Sequence, residues 1–258
     1  MHPAFAFLAH RWRSKSRHGL HSPFIYSLVD QCVYAHAPAV DARVERHFSA
    51  LKRDARLLKG MDHGQGKETI RSVADYAKTS AMPDVQAELL HRLAAYLKPM
   101  KALELGTNLG KSLSYMATGF SKGSFVGVEG NPALADHASD SLKILGIENA
   151  NITCNRFDEV LKDASLHYDW VFLDGDHAYE PTMRYFLKLK ERMAVGGVMI
   201  FHDIYHSPGM ERAWTEIKKD RDVQVTLDLF FFGLVWLGLP QAKEDFSIRF
   251  PRSLFGLL

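Results

Sequence analysis

The 258-residue chain predicts an α/β protein. The expected core is a doubly wound, mostly parallel sheet of about seven strands, closed by a C-terminal antiparallel hairpin and preceded by an N-terminal helical extension. Two observations carry this. After Pro99, short apolar runs alternate with amphipathic stretches, the pattern of repeated βαβ units. Near the end, Val223 to Leu227 and Phe231 to Leu237 are strand-like with only a few residues between them. No crossover helix fits in that gap, so these two runs must pair antiparallel.

The chain divides on this reading into a helical extension or lid, residues 1–98, and a sheet domain, residues 99–258. In the first part, Ser22 and Pro23 suit a helix start, because serine caps free N–H groups and proline tolerates the first helical position. Phe24, Ile25, Leu28 and Val29 follow at helical spacing. Val40 to Leu58 reads as a second helix, with Val44, Phe48, Leu51 and Leu58 on one side. The glycines of Asp62-His63-Gly64-Gln65-Gly66 break it into a loop that is expected to fold over a ligand. A third helix runs from about Pro83 to Leu97, before Pro99 stops it. No strand signal is visible before residue 99.

In the second part, Lys101 to Leu105, Phe125 to Val128, Asn151 to Cys154, Trp170 to Leu173 and Val198 to Phe201 read as buried parallel strands. Internal repeats and low-complexity tracts are absent. Hydrophobic residues make up 47% and charged residues 24%, an ordinary balance for a globular protein. A net charge of +2 is too small to imply a polyanionic partner by itself. Cys32 and Cys154 have no zinc-like spacing and read as reduced, buried thiols in a cytoplasmic protein, with a disulfide as the alternative. Met1 to Ala9 is apolar, but its basic residues follow it, the reverse of a secretory signal. No window reaches the roughly 20 apolar residues of a membrane span.

Ligands of such sheets bind beyond the carboxyl ends of the strands, so the strand ends carry the chemistry. The first strand runs into Glu104-Leu105-Gly106-Thr107-Asn108-Leu109-Gly110-Lys111-Ser112. Gly106 and Gly110 permit a tight turn and close approach to a ligand. The run is neither a G-x-G-x-x-G dinucleotide fingerprint nor a P-loop. About 20 residues on, the second strand ends at Glu129, where a carboxylate can accept both ribose hydroxyls of an adenosine. The third leads to Arg156, Phe157 and Asp158. Phe157 either contacts a ligand or fills the core, and Asp158 is placed to cap a helix. The fourth ends in Asp174-Gly175-Asp176-His177 and the fifth in His202-Asp203-Ile204-Tyr205-His206. Asp174, Asp203 and His202 can converge on a divalent cation, Mg²⁺ or another ion, although histidine argues against pure Mg²⁺.

The acidic residue followed by a glycine-rich turn resembles the first motif of class I S-adenosylmethionine-dependent methyltransferases, which have a Rossmann-like sheet. From about Ala102 to Leu237 the chain resembles their catechol O-methyltransferase-like branch, where acidic residues after the fourth and fifth strands hold a metal. Asp174 matches the first of these positions, while His202-Asp203 occupies the place of the acidic pair. The Asp-Gly-Asp-His run also resembles macrolide and antibiotic-pathway sugar methyltransferases, whose histidine there is a general base. The stretches Leu20-His21-Ser22-Pro23-Phe24, Leu103 to Thr107 and Asp203-Ile204-Tyr205 resemble a group of Bacteroidetes methyltransferases that suggests no substrate. The resemblance implies S-adenosylmethionine held by Glu104, Gly106, Thr107, Asn108, Gly110, Ser112, Glu129, Arg156, Phe157 and Asp174. It further implies His177 and Asp174 as catalytic residues, a small hydroxylated acceptor and a homodimer. Other readings stay open: an RNA methyltransferase using the basic run His10 to His18, with nucleic acid the less favoured partner, or a cofactor-binding protein without catalysis. The Asn-Pro-Pro-Tyr type motif of amino-group methyltransferases is missing after the fourth strand.

Overall fold

The computed structural model describes residues 3–35, 40–62 and 67–251. In chain order its elements are α1 (Pro3–Arg13), α2 (Pro23–Leu28), α3 (Ala42–Leu51), β1 (Leu57–Asp62), β2 (Lys67–Ser72), α4 (Val73–Thr79), α5 (Asp84–Leu97), β3 (Lys101–Leu105), α6 (Lys111–Gly119), β4 (Ser124–Glu129), α7 (Pro132–Leu145), β5 (Ala150–Cys154), α8 (Phe157–Val160), β6 (Tyr168–Leu173), α9 (Tyr179–Lys190), β7 (Met193–His202), α10 (Pro208–Lys219), β8 (Val223–Asp228), β9 (Phe232–Leu237) and β10 (Glu244–Ser247). The fold is α/β and Rossmann-like, its strands mostly parallel.

Two compact units divide the described chain. One comprises residues 35–163 and the other combines residues 1–34 with 164–251. The extension predicted over residues 1–98 is therefore shared between the units.

In the first unit, β4 pairs in parallel with both β3 and β5. The strand β3 is almost wholly buried, as its apolar sequence requires. The run Asn151 to Cys154 does form a strand, but β5 is half-exposed, so the expectation of a strand buried on both faces does not hold there. Cys154 is exposed and only Cys32 is a buried thiol. Helix α5 presents Leu89, Leu90 and Leu93 to the core, each fully buried, and its contacts are mainly with α6.

A correction concerns residues 52–72. The helix expected to reach Leu58 stops at Leu51, and β1 and β2 form an antiparallel hairpin with Leu58 opposite Arg71 and Gly60 opposite Thr69. Leu57, Met61 and Ile70 stay exposed on it; without a buried face the hairpin shows no clean alternation in sequence, which hides a strand. The tip of the predicted loop, residues 63–66, lies outside the described residues.

In the second unit the order is β10, β8, β9, β7, β6. Strands β6 and β7 are parallel, while β9 runs antiparallel to both β7 and β8, as the short connection demands. A further strand, β10, adds in parallel to β8. It brings the sheet strands β3 to β10 to eight rather than about seven. Its sequence Glu-Asp-Phe-Ser carries one apolar residue, Phe246, which is the one it buries. Trp170, Phe172, Phe186, Phe201, Trp214, Phe232 and Trp236 form this unit's core, each at most 2% exposed. Ser22 caps α2 by accepting the Ile25 N–H, as expected, and a π-helical turn at Val29–Val33 continues it.

Candidate functional site

The turn after β3 is built around positive backbone angles. Gly106 (φ 98°), Asn108 (φ 51°) and Gly110 (φ 87°) all lie in the left-handed region, which glycine enters without cost and asparagine at little. The Gly106 N–H donates to the Val128 carbonyl at 2.9 Å, tying the turn to the end of β4. Glu104 is fully buried and accepts from the Ser112 hydroxyl. Thr107 is 1% exposed.

Glu129 is the centre of this arrangement. One carboxylate oxygen accepts the Asn108 N–H at 2.8 Å and the other accepts the Asn131 N–H at 2.9 Å. Two backbone donors fix the carboxylate. Sequence reasoning found Glu129 and Asn108 but missed Asn131, which also caps α7 through its side chain. The Asn-Pro dipeptide after the strand was the available signal. Gly127 sits beneath: a Cβ there would lie 2.4 Å from the Thr107 hydroxyl. Arg156 is exposed and Phe157 half-buried, so Phe157 does not fill the core. Asp158 lies in the first turn of α8 rather than at its cap, which Arg156 occupies.

In the second unit, the ends of β6 and β7 bring Asp174, His177 and His202 together. The His202 Nδ1 lies 2.6 Å from Asp174 Oδ1, and His177 Nε2 is 3.6 Å from the same oxygen. Asp203 lies at the other ring nitrogen of His202, 3.6 Å from Nε2, in a left-handed conformation (φ 55°) that its N–H bond to the Phe231 carbonyl holds. His206 is largely exposed, 3.8 Å from Asp203. Burial disfavours the cationic form of His202, but the carboxylates of Asp174 and Asp203 outweigh it and push its pKa up to about 9. Burial likewise opposes ionisation of Asp174, yet the charge and hydrogen bond of His202 hold its carboxyl below the usual range. For His177 burial dominates and its pKa falls below the ordinary value. At neutral pH the cluster is thus a His202⁺–Asp174⁻ pair beside a neutral imidazole.

Asp174, His177 and His202 each offer one ligand atom, all within 4.8 Å of one another. One carboxylate and two imidazoles fit a divalent transition ion better than Mg²⁺, which prefers oxygen donors. Asp203, expected among the ligands, lies outside this set of three.

Residues 103–204 match the family model described as a methyltransferase domain. That stretch contains the acidic–glycine turn, Glu129, and the Asp174, His177 and His202 cluster. No curated protein matches the chain. Among solved structures it is similar to an O-methyltransferase from Bacillus cereus in complex with SAH, at 18% identity and a TM-score of 0.59, covering 81% of this chain and 96% of that one. It is also similar to the O-methyltransferase TomG from Streptomyces achromogenes in complex with SAM (21% identity, TM-score 0.53, 61% of this chain and 81% of that one). A third is the SAH-bound Podospora anserina methyltransferase (13%, TM-score 0.57, 79% and 98%). These likenesses establish the fold, and the domain match marks residues 103–204 as a methyltransferase domain. Among the described residues no helix is long and apolar enough to cross a membrane.

Proposed function

We propose that this methyltransferase uses S-adenosylmethionine to methylate a hydroxyl of a small metabolite, with His177 as the base. The observation that carries the reading is the Asp174–His177–His202 cluster, whose members all fall inside the matched methyltransferase stretch. Similar proteins solved with SAH or SAM, two of them O-methyltransferases, support the cofactor and the oxygen acceptor.

The residues of the first unit fit an adenosyl group. Glu129, fixed by two backbone N–H groups, would accept the ribose hydroxyls. Gly106 and Gly110 would let the backbone approach the ligand, with Thr107, Asn108, Ser112 and buried Glu104 shaping the turn. Phe157 is left half-exposed for a stacking contact with the adenine, and Arg156 stands next to it. When bound, S-adenosylmethionine supplies an electrophilic methyl group on its sulfonium.

A neutral hydroxyl is a weak nucleophile, so the protein must take its proton as the new bond forms. His177, kept neutral by burial, is suited to receive that proton at a ring nitrogen. Asp174 would steady the resulting imidazolium, while its bond to His202 holds it in place. A second reading rests on the same cluster: Asp174, His177 and His202 would hold a divalent ion that lowers the pKa of the acceptor hydroxyl. His177 would then be a ligand rather than the base.

Release of S-adenosylhomocysteine in the presence of catechols, phenols and sugars tests the proposal. The wild-type protein is expected to turn over one of these classes, and His177→Ala to lose about 10²–10⁴-fold. Unchanged turnover in His177→Ala would overturn the base assignment. Loss of turnover on chelation, restored by Mn²⁺ or Zn²⁺, would select the metal reading.

A further inference from the structure

The helix α1 has two apolar faces. Ala6, Phe7 and His10 line one, all under 9% exposed, as residues three and four apart do on a helix. This face is fastened to its own unit. Phe7 packs edge-on against Phe230 at 5.1 Å, and His10 lies 3.0 Å from the buried carboxylate of Asp228. The opposite face carries Phe5, Leu8 and Trp12, which are 65%, 60% and 91% exposed. At about 100° per residue these three share one stripe, with Arg11 on one side of it and Arg13 on the other.

The charge around the stripe is one-sided. Residues 1–29 contain Arg11, Arg13, Lys15 and Arg17 and no acidic residue, whereas the whole chain carries only +2. Arg17 pairs with Asp30 at 2.6 Å, and Arg13 donates to the Tyr205 hydroxyl and lies 3.6 Å from the buried Asp228 carboxylate. Arg11 and Lys15 are exposed and enter no ion pair among the described residues.

We propose that α1 docks the protein on an anionic lipid surface, with Phe5, Leu8 and Trp12 entering the headgroup–acyl boundary and Arg11 and Lys15 on phosphates. Three physical features favour lipid as the occupant. A narrow apolar stripe flanked by arginines on both sides is the form of a helix lying in the interface plane. An 11-residue helix is roughly 16 Å long, too short to span a bilayer and suited to lying along it. Tryptophan at the end of the stripe places an amphipathic ring at headgroup depth. The inner face already holds the helix folded, so docking need not pay for ordering it. The basic run singled out in the sequence thus acquires a role apart from methyl transfer.

Co-sedimentation of the full chain with vesicles tests this, comparing phosphatidylcholine alone with an equimolar mixture of phosphatidylcholine and phosphatidylglycerol. Binding is expected only to the mixture and to weaken with added salt. Arg11→Glu should weaken it by about fivefold or more, the value of one basic residue near such a surface. Trp12→Ala should weaken it by roughly tenfold, since it removes the largest apolar group from the stripe. Both side chains are exposed, so unchanged circular dichroism confirms that the variants fold. Failure to bind the mixture overturns the proposal. Binding that is indifferent to Trp12→Ala also overturns it, because cationic attraction alone would then suffice. Concentration-dependent dimerisation without lipid, abolished by Trp12→Ala, would assign the stripe to a second copy. Binding to single-stranded RNA in place of vesicles would assign the basic run to nucleic acid.

Discussion

Glu129→Gln is the substitution that separates a ligand-binding carboxylate from a solvated one. The native side chain accepts the Asn108 N–H at 2.8 Å and the Asn131 N–H at 2.9 Å, one on each oxygen. An amide has a single acceptor oxygen, so its NH₂ group must oppose one of these donors. One charge-assisted hydrogen bond is lost, worth about 1.5–3 kcal/mol, and with it the carboxylate's proposed hold on one ribose hydroxyl. The cofactor site should therefore weaken by roughly tenfold to more than a hundredfold. Calorimetric titration of wild type and variant with S-adenosylhomocysteine reads this ratio directly. Thermal unfolding of the ligand-free proteins serves as the control, since the same bonds tie the turns after β3 and β4 together. Equal affinities in two folded proteins would refute the reasoning and return Glu129 to a structural part.

Other consequences follow from packing and charge. Gly127→Ala would place a Cβ 2.4 Å from Thr107 Oγ1 and 2.9 Å from Leu113 Cδ2, so urea denaturation should show a loss of about 1–3 kcal/mol. An unchanged midpoint would mean that Thr107 can move aside. Asp228 is 3% exposed and accepts from the Tyr205 hydroxyl and the Phe230 N–H, with His10 3.0 Å away. Asp228→Ala strands these donors and should cost about 3–5 kcal/mol, while a cost below about 1 kcal/mol would show the cluster to be dispensable. Burial pulls the pKa of His47, His91 and His137 below the ordinary value. Their folded-state pKa lies beneath that of the unfolded chain, so the unfolded state binds protons first. Stability should fall as pH drops below about 6.5, by at most about 1.4 kcal/mol per pH unit for His91. A urea midpoint that stays level between about pH 6.5 and about 5.5, where the raised His202 no longer changes its contribution, would contradict this.

The parts of the fold that were legible are those where burial writes itself into a contiguous apolar run. Tyr168–Leu173 and the later part of Met193–His202 are such strands, and the tight connection between β8 and β9 fixed the antiparallel pairing of those two. The hairpin of β1 and β2 was illegible because its apolar residues Leu57, Met61 and Ile70 face solvent. Strand β10 was missed because its ladder with β8, rather than its side chains, makes it a strand. The same contrast holds at the site. Glu129, Asp174, His177 and His202 stand at strand ends, where ionisable groups after an apolar run betray themselves. The His10–Asp228 contact joins residues 218 apart, which no local pattern announces. A lone carboxylate within Leu227 to Phe232 was its one sequence signal, since a charge in an apolar run needs a partner. Of the predicted metal ligands, Asp203 was named for its place after the strand, yet a left-handed backbone sets it at the opposite ring nitrogen of His202 from Asp174.

The proposed adenosyl site is the turn after β3 together with the carboxylate that ends β4. Equilibrium titration of the wild-type protein with S-adenosylhomocysteine, and with NAD as the competing adenosine ligand, tests it most directly. Saturable binding of S-adenosylhomocysteine at one site per chain, with none for NAD, is the predicted result. Binding of NAD, or of neither ligand, would rule that site out.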